Sequence, residues 1–320
     1  MKHLLSYSVF QELTDISADV SGIPSFLKNI RCDGLELFTL FDKVPEIYYP
    51  YSVSVHLPYA IDWYRSWCGG TMDDGYEEGS LDYITFGRNP GEMVSNIRRG
   101  IGFATPVHPA YGVIHAGNTD LDQVMHRKHV CDDRAILGSF AEMMNEVVSG
   151  YKGGEPPFRL VFENLWWSGL SLTEPWECRM LEDKLEFEDW GLCLDTGHLM
   201  NTVPDAYDQS SAIEGAMRII DHYTDDMRDR ITNMHLHYSA SAEYRGTFEE
   251  SDRPDGESFE RTLERSFSHV SSIDTHTPFS DPACADLVNA IRPDYVTHEM
   301  LSSEGRDPVH DFIQQRAFFD

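Results

Sequence analysis

The sequence predicts an α/β fold, a (β/α)₈ TIM barrel, and three observations carry that expectation. Eight short apolar runs rich in β-branched and aromatic residues recur along the chain. Many of them read straight through without polar alternation, as strands buried on both faces do. Helical patterns lie between most of them, and strands that alternate with helices imply βαβ units and a parallel sheet.

The runs are LLSYSVF from residue 4, GLELFTL from 34, VSVHLPY from 53, YGVIHAG from 111, RLVFENL from 159, WGLCLDTGH from 190, ITNMHLHY from 231 and DYVTHEM from 294. Apolar residues fall at helical intervals in AILGSFAEMMNEVV, SAIEGAMRIIDHY, ADLVNAI and VHDFIQQRAFF. The last of these is a closing helix, which suits a barrel better than an open doubly wound sheet. No Gly-x-Gly-x-x-Gly follows the first run, which weakens a dinucleotide-binding alternative.

At 320 residues and 41% hydrophobic content the chain is long enough for a large core. Barrels routinely run to this length as one domain, so residues 1–320 read as a single domain with long loops after strands 3 and 7. The first loop, residues 59–90, carries Trp63, Trp67, Gly69, Gly70, Asp73, Asp74 and Tyr76 with weak periodicity. It reads as a lid, most open to proteolysis over residues 66–80. The second, residues 239–272, holds the polar stretch RGTFEESDRPDGES followed by a helix.

Lysine and arginine total 25 against 54 acidic residues, a formal net charge of −29. That field repels phosphate backbones and argues against nucleic acid as a partner. Arg65, Arg88, Arg98, Arg99 and Arg245 are scattered and form no dense basic run. The charge itself reads as a solubility or salt adaptation. The six cysteines form no Cys-x-x-Cys pair and read as reduced thiols of a cytoplasmic protein. No apolar stretch is long enough for a membrane span or a signal peptide. Oligomerisation is left open.

Chemistry gathers at the strand ends. His56 closes the third run, His115 the fourth, Glu163 the fifth, Asp195 and then His198 the sixth, His235 and His237 the seventh, and Glu299 the eighth. In a parallel barrel these ends share one face, so side chains far apart in sequence converge on one mouth. Imidazole and carboxylate are the usual ligands of Zn²⁺, Mn²⁺ and related ions, and such a cluster stripped of water is costly without a cation. The pattern therefore points to a divalent-metal enzyme. His298 neighbours Glu299 and reads as a structural residue facing the helices. His126 and His129 lie away from any strand end and read as a solvated pair. Glu36 is open between a mouth residue and an ordinary strand carboxylate. Trp166 and Trp167 suit stacking on a sugar ring, with at least one of them packed under the helices.

The stretches HLPY, FEN, CLDTGH, MHLHYS, DTH and HEM resemble the xylose-isomerase-like barrel superfamily over nearly the whole chain. That group includes sugar isomerases, ketose epimerases and the endonuclease IV type of apurinic/apyrimidinic endonuclease. The resemblance implies a central metal held by Glu163, Asp195, His235 and Glu299. It also implies further ligands from His56, His115, His198, Asp274 and His276, for one to three Zn or Mn ions per chain. DTHTPFSD lacks the glycines of the Asp-x-His-x-x-Pro-Gly stretch that the isomerase and epimerase relatives carry. The expected activity is isomerisation or epimerisation of a small polyhydroxylated sugar or sugar-phosphate-like substrate through an enediolate, with Glu163 and Glu299 moving the proton. The alternative is metal-dependent phosphodiester hydrolysis of the endonuclease IV kind. A third reading is a binding or regulatory protein that keeps a metal but lacks turnover.

Overall fold

The computed structural model describes residues 1–8, 22–70, 84–128, 131–300 and 306–319. Its strands are β1 (Lys2–Ser8), β2 (Gly34–Phe38), β3 (Ser52–His56), β4 (Tyr111–His115), β5 (Arg159–Glu163), β6 (Trp190–Asp195), β7 (Ile231–His235) and β8 (Tyr295–His298). They pair in parallel in the cyclic order 1-8-7-6-5-4-3-2, with β1 against both β2 and β8, and so form a closed (β/α)₈ barrel. Each strand overlaps one of the eight apolar runs.

Helices α1 (Ile23–Asn29), α2 (Tyr64–Trp67), α3 (Pro90–Ala104), α4 (Asp133–Ser149), α5 (Pro175–Lys184) and α6 (Thr196–Asn201) accompany the first six strands. Next come α7 (Gln209–Ile220), α8 (Asp225–Arg230), α9 (Ala242–Thr247), α10 (Phe259–Ile273), α11 (Cys284–Ile291) and α12 (Pro308–Arg316). Their starts follow capping chemistry. Asn89, Asp132 and Ser258 each accept a hydrogen bond from a first-turn backbone N–H of α3, α4 and α10.

Strand alternation divides the core in two. Leu5, Ile114, Phe162 and Leu194 pack with the helices, among them Ile136 and Phe140 of α4. Leu4, Val113, Val161 and Cys193 form a separate cluster inside the barrel. Side chains two apart share a face. The parity that puts Val113, Val161 and Cys193 inside therefore sends His115, Glu163 and Asp195 to the next inward layer, at the C-terminal mouth. The same step leads from Ser54 to His56, from Asn233 to His235 and from Thr297 to Glu299. Register completes the convergence, because His115 pairs with Glu163 and Asp195 with His235 across adjacent strands.

The two long loops differ from one another. In the first, Trp63 is fully buried, packs against Phe140 and donates Nε1–H to the Gly117 carbonyl at 2.8 Å. This part anchors the start of the loop to the barrel wall. Residues 71–83, including Asp73, Asp74, Tyr76 and most of the 66–80 window, lie outside the described residues. In the second loop α10 lies over the mouth, with Leu263, Ser266, Phe267 and Val270 lining the cleft. No described helix is long and apolar enough to cross a membrane.

Candidate metal centre

Glu163 is the hub of the mouth. It is fully buried at the end of β5. Its Oε2 lies 3.2 Å from His56 Nε2 and 3.5 Å from His115 Nε2, and its Oε1 lies 3.3 Å from His198 Nδ1 and 3.4 Å from His235 Nδ1. Four imidazoles thus surround one carboxylate. Asn164, the next residue, clips β5 to β6 by donating Nδ2–H to the Asp195 carbonyl (3.1 Å) and accepting from the Asp195 N–H (2.7 Å).

The CLDTGH stretch explains itself locally. Asp195 caps α6 by accepting from the His198 N–H at 2.6 Å, which leaves Oδ2 facing His237 Nε2 at 2.9 Å. Thr196 Oγ1 donates to the His237 carbonyl at 2.7 Å and ties the β6 end to β7. A Cβ on Gly197 would fall 2.0 Å from His237 Cε1, so only glycine fits between the capping Asp195 and His198.

Backbone contacts fix which nitrogen each histidine turns inward. His56 Nδ1 lies 2.9 Å from its Leu57 carbonyl and His198 Nδ1 lies 2.8 Å from the Asn164 carbonyl. A carbonyl can only accept, so in each ring Nδ1 carries the proton and the Nε2 lone pair points into the mouth. His198 Nε2 and His276 Nε2 converge on Asp274 Oδ2, at 3.2 and 2.6 Å, while Ser239 Oγ holds the other oxygen at 3.0 Å. His276 has φ 44°, in the left-handed region that costs a non-glycine residue energy. Arg306 holds it there by donating to the His276 and Thr275 carbonyls.

The donor set fits divalent metal. His56, Glu163 and His235 form one group whose ligand atoms lie within 4.8 Å of one another; Glu163, Asp195, His235 and Glu299 form a second, and His198, Asp274 and His276 a third. His235 Nδ1 sits 2.8 Å from Glu299 Oε2, yet neither atom makes a hydrogen bond, and Glu163 Oε1 is buried without a partner too. Short approaches off the hydrogen-bond direction mark atoms aimed at a common point rather than at each other.

The electrostatics agree. Burial would raise the Glu163 carboxyl, but His235 and His115 hold it well below the usual range. Burial likewise opposes the charge on His276, but Asp274 outweighs it and lifts the ring to about 9. His115 is pushed down to about 3 by burial, with Glu163 only partly offsetting it.

Every site residue expected from the sequence lies at this mouth. Glu36 faces inward one layer deeper, with Oε1 2.8 Å from His235 Nε2 and Oε2 accepting from Ser54 and Thr297. His237 contacts Asp195 and stacks on His276 with ring centroids 4.0 Å apart. His298 turns to the helix side, as its neighbour's inward position requires. His126 pairs with the exposed Asp252 and takes no part in the centre, while His129 lies outside the described residues. Sequence reasoning gave no role to Tyr59, which stacks on His115 at 4.0 Å, or to Ser239 and Arg306. Tyr59 stands within HLPY three residues after His56, a signal that its motif already carried.

No family model and no curated protein matches the sequence. Solved structures do. L-ribulose 3-epimerase is 13% identical with TM-score 0.51, over 98% of this chain and 92% of that one. A D-tagatose 3-epimerase-like protein is 14% identical with TM-score 0.50, over 100% and 97%. Apo 3-keto-D-glucoside 4-epimerase, YcjR, from E. coli is 12% identical with TM-score 0.50, over 99% and 98%. A xylose isomerase-like TIM barrel fused to a 4-hydroxyphenylpyruvate dioxygenase matches at TM-score 0.50 and 11% identity, over 99% of this chain and 42% of the fusion. At these identities the likeness shows the fold alone, the closed TIM barrel that the strand order also gives.

Proposed function

We propose that the protein is a divalent-metal-dependent isomerase or epimerase acting on a small polyhydroxylated substrate. The observation that carries this reading is the shape and chemistry of the cleft above the ligand cluster. Its volume is about 260 Å³ and α10 overhangs it. Phe38, Trp166 and Trp167 wall it, His56, His115, His198, Asp274, His276 and Glu299 floor it, and no lysine or arginine is among its described lining residues. A cleft lined by aromatics, with no lysine or arginine among its described lining residues, suits a sugar-sized molecule and offers no basic strip for a phosphodiester chain.

A bound divalent cation would draw neighbouring substrate oxygens together and stabilise negative charge at a carbonyl oxygen. Glu163, Asp195, His235 and Glu299 would hold it. Glu299 is the least enclosed of the three carboxylates, with its side chain 15% exposed at the cleft. Glu299 would take a proton from carbon next to the carbonyl, and Glu163 would return one. Trp166 and Trp167 would orient the ring by stacking and keep bulk water off the exchanging proton.

The hydrolytic alternative is favoured by a different observation, the four overlapping donor groups among the described residues, since clustered metals activate water at phosphate esters. One experiment separates the two. The metal-loaded protein is incubated with a panel of ketoses in D₂O and, in parallel, with abasic-site duplex DNA. Deuterium entering a C–H position of a ketose is the expected result. Strand cleavage of the DNA with no exchange in any ketose would sink the isomerase reading.

A further inference from the structure

Behind the tryptophan wall lies a second cavity of about 310 Å³. It shares Val124, Trp166, Trp167 and Val270 with the metal-bearing cleft, so the two adjoin. Its chemistry is different. Where the first cleft offers carboxylates and imidazoles, the second offers hydrogen-bond donors from Asn201 at the end of α6 and Arg245 of α9.

A short relay fixes these donors. Arg245 donates from Nε to Ser241 Oγ at 3.0 Å and from its second terminal nitrogen to the Val203 carbonyl at 2.6 Å. Ser241 Oγ accepts there, so its own proton goes to Asn201 Oδ1, at 2.6 Å. In this arrangement Oδ1 is the bonded end of the amide and Nδ2 the open one. Asn201 is only 3% exposed, and its Nδ2 is buried without a hydrogen-bond partner. A buried donor in that state is costly unless something accepts from it.

Arg245 adds charge. Burial works against the guanidinium, and no carboxylate among the described residues pairs with it. The other arginine of this cavity, Arg127, is already paired with Glu250 and spends its remaining donors on the Arg245 and Phe248 carbonyls. In a chain of net charge −29, a half-buried cation without an acidic partner beside an unpartnered amide donor is an unusual pairing.

We infer that this second cavity is an anion-binding subsite that takes the carboxylate or phosphate end of a substrate whose polyhydroxylated end reaches the metal centre. The inference rests on the proposed reading for the metal end only, and it narrows the substrate class from sugars in general to sugar acids or sugar phosphates. It also reconciles a cleft without lysine or arginine with an anionic substrate, because one terminal charge is met next door and not along a polymer backbone.

Calorimetric titration of the metal-loaded protein with D-ribose, D-ribonate and D-ribose 5-phosphate tests it without requiring turnover. At least one of the two anions should bind about 10–100-fold tighter than D-ribose, the range for hydrogen bonds to a charged group. The tighter of the two anions identifies the terminus. Arg245→Met should abolish the preference and leave D-ribose affinity unchanged, and Arg245→Lys should restore part of it. Asn201→Asp, which replaces the open donor with a carboxylate, should abolish it as well. Equal affinity for all three compounds overturns the inference. So does a preference that survives in Arg245→Met or Asn201→Asp, since the anion would then be bound at the metal. Loss of ketose exchange with the anion preference intact would remove the proposed reaction and leave the subsite standing.

Discussion

Two groups of buried histidines occupy this barrel, and they obey opposite rules. At the mouth, His56, His115, His198, His235 and His276 crowd around Glu163, Asp195, Asp274 and Glu299, and several of the inward atoms have no hydrogen-bond partner. Behind the barrel, His3 and His298 meet between β1, β8 and the chain's last turns. There His3 Nδ1 lies 3.0 Å from His298 Nε2, and Gln315 Nε2 donates to His298 Nδ1 at 2.8 Å. There burial, then the neighbouring His3 and Arg316, drives the His298 ring well below its ordinary value. Burial alone does not make a histidine functional. Burial with carboxylates and unfilled lone pairs does, because only a cation balances both.

The largest effect expected from this contrast is at Glu299. Glu299→Gln keeps the side chain's size and one ligand oxygen but cannot accept a proton from carbon. Solvent exchange and turnover should fall by about 10²–10⁴-fold while metal content stays near that of the wild type. Undiminished exchange would move the base elsewhere, with Glu163 next in line. Asp195→Ala removes a ligand outright and also the cap of α6. Metal retained after gel filtration, read by elemental analysis, should drop more steeply than for any change outside the ligand shell. Full occupancy would dismiss Asp195 as a ligand. Glu36→Gln is gentler, because Glu36 touches only the far side of His235, at 2.8 Å. Carboxylates behind a ligating histidine are typically worth about 10–100-fold in metal affinity. A competition titration with a chelator reads that loss, and an unchanged affinity would reduce Glu36 to a filler of the barrel interior.

The eight strands and the mouth were legible because two periodicities reinforce each other. A run buried on both faces betrays a barrel strand, and its last inward residue has nowhere to point but the mouth. His56, His115, Glu163, Asp195, His235 and Glu299 could all be read in this way. Glu36 could have been settled by the same count, since Ser6, Glu36 and Ser54 share the inward face. What the sequence hides is lateral. Trp63 reads as part of a lid because its surroundings are rich in glycine and acid, yet its ring belongs to the core, held by a carbonyl more than fifty residues away. The relay from Arg245 through Ser241 to Asn201 joins α9 to α6 and has no local signature. The closeness of His276 to Asp274 follows from a left-handed residue held by Arg306, and no spacing rule foretells that.

The smallest expected effect is at His298, and it tests the quiet half of the comparison. His298→Leu keeps an apolar ring-sized volume against Phe312, whose ring stands 4.7 Å from the imidazole. The change removes a contact of His3 Nδ1 and one of two contacts of Gln315 Nε2, which retains the Leu236 carbonyl at 2.8 Å. Losing buried hydrogen bonds of this kind costs about 1–3 kcal/mol. For a chain of this size that is a drop in melting temperature on the order of a few degrees. Metal content and ketose exchange should be untouched, although the substitution sits one residue from Glu299, because β8 turns adjacent side chains to opposite faces. A variant that melts like the wild type would mean that the His3–His298 contact contributes nothing. A variant that loses metal would mean that the two histidine groups are coupled through the strand, and the division between a mouth that needs a cation and a back that does not would fail.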